Sequence, residues 1–530
     1  MAENFGFLSV LPPLVAIVLA IATRQVYASM FIAIWLGATF LNGYNPWLGL
    51  LRSMDTYVIN SVADPWYAEV LIFTMMIAAM VALMTRSGGA NAIAEALGRR
   101  AKTPRAGQLC AWAIGMIIFF CDYTSALITG NTARPLTDRL RISREKLSYI
   151  VDSTAAPVAT MALISTWIGY ELGIIGEAFA KIGIESSPYS IFLQSIPYRF
   201  YSIFALSLVV IIAVTMRDFG PMYNAEIRAR TTGKVLRDGA VPLAAGDTAE
   251  MMPKEGIPYR AVNFIVPIAF LIISTFIGLY WHGVNVGGAD PNNILEAIGA
   301  SDSVLVLIWT SLLSAIVTLI MIVAQRLLSF VEAFDTLMAG AKSVFAALVI
   351  LVFAWALSAV TGELGADSYL VGLVTAAKVP YQLLPLIIFL ISCLMAFAMG
   401  TSWGTMGIVT PLAIPVANAV APHLLIPTLA SVLTGAIFGD HCSPISDTTI
   451  LSSTGAGSDH IDHVRTQMPY ALLGAAVAGI FGFIPAGFGV PVWISIILGI
   501  AALIVFVRFV GKSTNVDLKV VETGGQKVEA

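Results

Sequence analysis

Apolar residues along this chain come in runs near twenty long, separated by short polar stretches, rather than at the spacing of an amphipathic surface helix. The runs fall at roughly 7–23, 27–42, 67–85, 149–169, 196–216, 261–281, 303–325, 343–361, 424–453, 468–488 and 491–510. A hydrocarbon core about 30 Å thick takes about 20 such residues in helical form, so the pattern predicts about eleven full membrane spans. Two further apolar segments, 107–133 and 382–420, are interrupted by polar and glycine-rich stretches. Irregular backbone at membrane depth survives only where protein or a cavity satisfies it, so these two predict re-entrant or broken elements.

Charge in the short loops orients the spans. Loop 86–106 holds Arg86, Arg99, Arg100, Lys102 and Arg105, and segment 134–146 holds Arg134, Arg139, Arg141, Arg144 and Lys146. Loop 282–302 has acids and no Lys or Arg, and 43–66 has one Arg. The positive-inside rule puts the first pair in the cytoplasm and the second pair outside. Both basic loops share a side only if the chain between them turns back, which argues independently for a re-entrant hairpin at 107–133. The expected arrangement has the N-terminus outside and the C-terminus cytoplasmic. The start, MAENFGFLSV, has no basic region, so the first span is expected to be retained.

The chain also repeats itself. "VALMTRSGGANAIAEAL" pairs with "WALSAVTGELGADSYLVGL", matching Thr85, Gly89 and Ala90 to Thr361, Gly365 and Ala366. "FFCDYTSALITGNTARPL" pairs with "FAMGTSWGTMGIVTPL", setting Thr124 and Ser125 against Thr401 and Ser402. "DSTAAPVATMALIST" pairs with "DHCSPISDTTILSS", aligning Pro157 with Pro444 and Ser165 with Ser452. With the orientation above, the copies run in opposite directions, the inverted repeat common in secondary transporters. The expected fold is therefore an all-α polytopic membrane protein of two inverted-topology repeats with re-entrant hairpins and broken helices. Its divisions are 1–216 for the first repeat, 217–260 for a cytoplasmic linker, 261–510 for the second repeat with an extra span, and 511–530 for a disordered tail.

Composition agrees. Of 530 residues, 58% are hydrophobic and 12% charged, about half the charged share of a soluble domain. The net charge of −3 says nothing about partners, because the charges are segregated by loop. Cys110, Cys121, Cys393 and Cys442 lie in apolar segments without metal or disulfide spacing. No GxxxxGK[ST], HExxH or GxSxG occurs, which speaks against ATP-driven transport and against an intramembrane hydrolase.

The chemistry concentrates where the spans break. Val379 to Gly439 contains no Asp, Glu, Lys or Arg, and then "FGDHCSPISDTTILSS" brings Asp440, His441 and Asp447 around Pro444. Pro157 and Pro444 each remove a backbone donor and unwind the span. An unwound span frees carbonyls at one half-helix end and N–H groups at the other. Carbonyls and hydroxyls suit a small hard cation such as Na⁺, and the N-terminal end suits an anion. Asp122 and Asp440 follow apolar runs beside hydroxyl residues, and an intramembrane acid is a functional site by default. One carboxylate that holds either H⁺ or Na⁺ suffices for exchange. The expected ion or substrate ligands are Asp122, Thr124, Ser125, Asp152, Thr401, Ser402, Asp440, His441, Ser443, Asp447 and Thr448.

Several of these have quieter readings. Asp447 either lines the pathway or caps a half-helix, for which Ser446 is also placed. Asp152 either handles ions or sits at the cytoplasmic edge of its span. His441 either carries a proton or is satisfied by a backbone carbonyl. His460 and His463 have a metal or pH-sensor spacing, but their polar loop favours a solvated helix start. His282 and His423 lie at span ends and are expected to be structural.

The stretch Phe438–Ser453, with "FFCDYTS" and "YIVDSTAAPVATM", closely resembles the NhaC family of sodium/proton antiporters over about residues 5–510. That resemblance implies Na⁺/H⁺ exchange in a bacterial cytoplasmic membrane, assembly as a homodimer, and Na⁺ handling by Asp122, Asp440 and Asp447. It implies no enzymatic activity and no cofactor beyond the transported Na⁺ and H⁺. Partners would be small ions, membrane lipid and no nucleic acid. Members also exchange organic solutes such as malate for lactate, so a coupled exchanger of a small organic anion or amino acid is the alternative. A channel would need a continuous polar pore, whereas these polar residues cluster at the breaks.

Overall fold

The computed structural model describes residues 5–23, 25–98, 101–184, 186–242, 253–254, 256–376 and 380–515. The chain opens with α1 (Leu11–Thr23), α2 (Val26–Leu41), α3 (Pro46–Arg52), α4 (Ile59–Ala63), α5 (Pro65–Arg86) and α6 (Gly89–Gly98). A hairpin follows, α7 (Pro104–Ile117) and α8 (Asp122–Arg139). Next comes a broken span, α9 (Arg144–Ser153), the short turn α10 (Ala156–Ala159) and α11 (Thr166–Lys181). The first half closes with α12 (Pro188–Ser195) and α13 (Phe200–Thr215). Strand β1 (Arg217–Asp218) and α14 (Gly220–Thr232) then lead across to α15 (Val262–Asn285), α16 (Ile294–Gly299), α17 (Ser303–Ala324) and α18 (Phe330–Ser343). The second half runs through α19 (Phe345–Glu363), α20 (Ala366–Ala376), the hairpin α21 (Leu384–Met399) and α22 (Ser402–Val420), and the broken span α23 (Leu425–Cys442) and α24 (Asp447–Ala456). It ends with α25 (His460–Val477), α26 (Ile484–Gly487), α27 (Val492–Val510) and β2 (Lys512–Ser513).

Among the described residues nine helices are long and apolar enough to cross a membrane, or eleven if each of two bent pairs counts as one span. Local chemistry explains where many begin. Asp64 accepts from the N–H groups of Trp66 and Tyr67 at 2.9 and 3.2 Å, with Pro65 at the first helical position of α5. Ser329 and Glu332 close a capping box on α18. Central α23 is 83% buried along its span while α27 is 22% buried, which places α23 in the core and α27 on the lipid-facing perimeter.

The halves interlock reciprocally. Hairpin helix α8 of the first half packs on α24 of the second, and α22 of the second packs on α11 of the first. Glycines permit the closest approaches. A Cβ on Gly130 would lie 2.4 Å from the Gly455 carbonyl carbon, and one on Gly407 would lie 2.7 Å from the Tyr170 hydroxyl. Gly130 and Gly407 are separated by the same 277 positions as Thr124 and Thr401. This exchange of equivalent contacts is what two repeats about a pseudo-two-fold axis produce.

Several expectations shift. Segment 43–66, read as an external loop, folds into α3, a wider turn and α4, bent 119° from α2. Helices α18 and α20 also occupy stretches read as connections. The run 149–169 straddles a break instead of forming one span, and 424–453 breaks after Cys442. Helix α7, with 14 residues, rises only about 21 Å, too short to cross, as a re-entrant arm should be. The second hairpin is longer: with the short turn 381–383 that leads into α21, its arms are 19 residues each, about 28 Å.

The linker is partly ordered. Asp218 pairs with Lys146 and accepts from the Tyr470 hydroxyl at 2.7 Å. Glu226 accepts from the N–H and hydroxyl of Ser143 at 2.8 and 2.7 Å, capping the start of α9. Arg228 pairs with Glu145 and Arg237 with Asp462, both at 2.8 Å. Residues 217–242 thus hold α9 and α25 together. In the tail, β2 pairs with β1, so residues 512–513 are ordered; residues 516–530 lie outside the described chain.

Candidate functional site

Helix starts converge on one cavity of about 220 Å³, those of α2 and α19 together with four from the hairpins and broken spans. Its wall includes Asp122 and Tyr123 of α8, Thr166 of α11, Thr401 and Trp403 around the start of α22, and Asp447 of α24. These are the two hairpin tips and the second halves of the two broken spans. The broken spans are capped by serine: Ser165 accepts from Trp167 N at 3.2 Å, and Ser446 from Thr449 N at 3.4 Å. The hairpin tips, preceded by Cys121 and Thr401, have no side-chain cap. Their first N–H groups and helix dipoles therefore face the cavity, and at α8 the Asp122 carboxylate lies against them.

Three carboxylates meet this positive field. Asp447 is exposed to the cavity; its Oδ2 accepts from the Tyr123 hydroxyl and its Oδ1 from Thr448 N at 2.8 Å. Because Ser446 supplies the cap, Asp447 is free to face the opening. Asp122 is buried at the first position of α8 with Oδ2 unpartnered, and the Trp167 indole lies beside it without a well-formed hydrogen bond. Asp440 sits one layer behind; Ser402 Oγ donates to its Oδ2 at 2.7 Å and Oδ1 is unpartnered. Each of the three lies within electrostatic range of another. No three acid, His or Cys side chains among the described residues converge on one point as a metal cluster.

The hydroxyls divide. Thr401 lines the cavity, Thr124 lines an adjoining void of about 80 Å³, and Ser125 Oγ is buried and unpartnered. Ser443 instead donates to Phe397 O at 2.8 Å, and Thr448 bonds Ser446 at 2.9 Å, so both serve the turn at Pro444. The carbonyls freed at the breaks are largely taken by side chains. Thr449 donates to Asp440 O at 3.3 Å, Gln467 donates to His441 O, and Ser165 donates to Ala159 O at 2.8 Å. At the break beside Pro157, a fully buried pair, Arg199 with Glu171 at 2.7 Å, also grips Thr160. Thr160 is the repeat counterpart of Asp447, so one break is pinned by an ion pair while the other opens on the cavity.

Asp152 and His441 lie in a second buried cluster, away from the cavity wall. Asp152 Oδ1 accepts from Ser452 at 3.1 Å; Oδ2 accepts from Gln467 at 2.6 Å and meets His463 Nε2 at 3.3 Å. His441 bonds the Tyr201 hydroxyl at 2.6 Å and Ser153 at 3.2 Å. Asp152 is thus buried within the protein. His463 is fully buried rather than solvated, because it lies on the face of α25 that packs against α9. His460 faces Ser453 and the Pro444 carbonyl, so the two imidazoles do not share a ligand. His282 accepts from Asp302 N at 3.2 Å. Tyr123, Gln467, Tyr201 and Arg199 carry no sequence signal of their own; only Tyr123 stands inside a repeated motif.

Comparison with known proteins agrees with this construction. The family model described as the Na⁺/H⁺ antiporter family matches residues 158–488. An uncharacterised protein of Haemophilus influenzae is 36% identical over 493 residues, 91% of each chain. The malate-2H⁺/Na⁺-lactate antiporter of Bacillus subtilis is 35% identical over 103 residues, 18% of this chain and 22% of that one. Among solved structures, the Alcanivorax borkumensis YdaH transporter aligns with a TM-score of 0.55 at 14% identity, covering 84% of this chain and 90% of its own. Neisseria gonorrhoeae MtrF gives 0.52 at 14% identity, covering 84% and 85%. These last two share the fold alone. The chain belongs to the Na⁺/H⁺ antiporter family.

Proposed function

We propose that the protein exchanges Na⁺ for H⁺ across a bacterial cytoplasmic membrane, loading either ion at Asp447, Asp122 and Asp440 as the cavity opens to alternate sides. One observation carries the reading. Five buried acids, Glu145, Glu171, Asp218, Glu226 and Asp462, each have an Arg or Lys partner. The acids at the cavity have only neutral donors. A carboxylate in a low-dielectric site without a fixed counter-charge is neutralised by a proton or a metal cation. Thr401 and Thr124 supply oxygen ligands for Na⁺, and Ser402 holds Asp440 in place. The break at Pro444, which opens on the cavity, is the element that moves. We place the N-terminus outside, the C-terminus inside and two copies in the assembly, with 1–216 and 261–510 as the repeats. Dequenching of a pH dye in everted vesicles on adding NaCl tests this; no response sinks it.

A second reading has its own support. Helix starts around a cavity of about 220 Å³, walled by Trp403 and Tyr27, also suit a small organic carboxylate carried with the cation. Counterflow of labelled malate or lactate separates the two.

A further inference from the structure

One buried acid outside the cavity also lacks a lysine or arginine. Asp152 is 1% exposed, and among the described residues the groups able to carry positive charge against it are two imidazoles, His463 in contact and His441 nearby. Every donor on its carboxylate is a neutral side chain or the His463 ring: Ser452 at 3.1 Å, Gln467 at 2.6 Å and His463 at 3.3 Å. Since donors occupy both oxygens, a metal ion would have to displace them, whereas a proton enters without moving a heavy atom.

Two orphan atoms point the same way. His463 Nδ1 and Gln467 Oε1 are both buried without partners. They belong to residues one turn apart on the same face of α25. With Nε2–H directed at Asp152, a neutral ring leaves Nδ1 as a bare acceptor, so two acceptors stand without a donor. A second proton on the ring turns that pair into one donor and one acceptor and gives Asp152 a counter-charge.

Apart from His441, which is held by Tyr201 and Ser153, the surrounding groups do not supply that charge. The titratable side chains within electrostatic range of the Asp152–His463 pair are Tyr201 from α13, His441 and Cys442 from α23, and Asp447 from α24. Of the nearby bases, Lys146 is committed to Asp218, Arg144 to Asp138 and the Gly457 carbonyl, and Arg237 to Asp462. From α24 only Ser452 reaches the carboxylate.

We propose that Asp152 and His463 form a second proton-binding site, separate from the cavity, that joins the ends of both broken spans when it is loaded. Asp152 ends α9, Ser452 lies on α24, and His441 ends α23 and reaches back to Ser153. The proton's arrival therefore bears on both breaks at once. The ligand is H⁺ and not Na⁺. Its part in the transport cycle rests on the exchange reading above; its existence does not.

The test is histidine-selective ¹⁵N NMR of the purified full-length protein, with His463 assigned by comparison with His463→Gln. The His463 ring should gain its second proton as the pH is lowered through the range over which the protein stays folded. In Asp152→Asn the midpoint should fall by about one pH unit or more, a tenfold loss of proton affinity. NaCl should leave the wild-type midpoint unchanged. A ring that keeps one protonation state across that range, or an unchanged midpoint in Asp152→Asn, overturns the site, and a Na⁺-dependent midpoint overturns its selectivity. If Asp152→Asn does not fold, the wild-type titration decides alone. These readouts need no transport, so absent Na⁺/H⁺ exchange in wild-type vesicles would overturn the cavity reading and leave this one standing.

Discussion

The hydroxyl of Tyr123 donates to Oδ2 of Asp447, joining the tip of the first hairpin to the start of the broken span in the other repeat, 324 residues away. Among the described residues it is the one side-chain donor to the cavity-facing carboxylate. A hydrogen bond to a charged group contributes about 1.5–3 kcal/mol. Tyr123→Phe should therefore raise the Na⁺ KM by roughly tenfold, about 1.4 kcal/mol, with a smaller change in maximal rate. Dye-monitored exchange at graded NaCl checks it; an unchanged KM would detach Tyr123 from the site.

Behind it, Ser402 Oγ holds Asp440 at 2.7 Å while the other carboxylate oxygen has no partner. Asp440→Asn should abolish exchange with the fold intact. Ser402→Ala should lower the rate about tenfold, the lower end expected for losing one bond to a charged group. Size-exclusion profiles in detergent separate a transport defect from misfolding.

The spans and breaks were legible because each has a local cause. A run near twenty apolar residues shows a span, and a proline inside one, as at Pro157 and Pro444, shows a break. Helix α3 was missed because seven residues with Asn45 and Pro46 at their head look like a turn until they pack on α2. The ligands of Asp152 were missed for a different reason. His463 lies 311 residues away in a polar stretch, and nothing local tells which face of α25 meets α9. Arg199 hid inside an apolar run, since a buried arginine is recognisable only with Glu171 beside it.

That arginine makes a separate prediction. Removing one partner of a buried ion pair costs about 3–5 kcal/mol, because the other charge is left unmet. Glu171→Gln and Arg199→Met should each lower the thermal midpoint sharply, and the double variant should recover much of the loss. Thermal unfolding in detergent reads it, and additive losses would show that the pair is not coupled.

Crossing contacts between the repeats can be tested by size. A Cβ on Gly455 would lie 2.6 Å from the Ala126 carbonyl oxygen, and neither helix backbone can yield cheaply. Gly455→Val should destabilise by about 1–3 kcal/mol and reduce exchange further than stability alone explains. Gly183→Ala, at a turn with open space around it, probes only backbone strain and should leave exchange unchanged.

The linker makes a pH prediction outside the membrane. Partial burial works against the Asp459 carboxylate, but backbone N–H groups of Val241, Asp462 and Ile461, with Arg237 nearby, outweigh it and hold the group below its usual range. A depressed native value means the contact stabilises fully above the unfolded value, about 3.9, and is lost as pH falls through the native one. Residues 217–242 should resist protease at neutral pH and become cleavable below about pH 4. Asp459→Asn should be cleaved at neutral pH; protection unchanged by acid would contradict the assignment.

Proton-driven ²²Na⁺ uptake into proteoliposomes tests the central claim most directly. With an acidic interior, wild-type protein should accumulate Na⁺ as internal protons leave, and Asp447→Asn or Asp440→Asn should not. Uptake no faster than in protein-free liposomes, or uptake undiminished in both variants, would contradict exchange at these carboxylates.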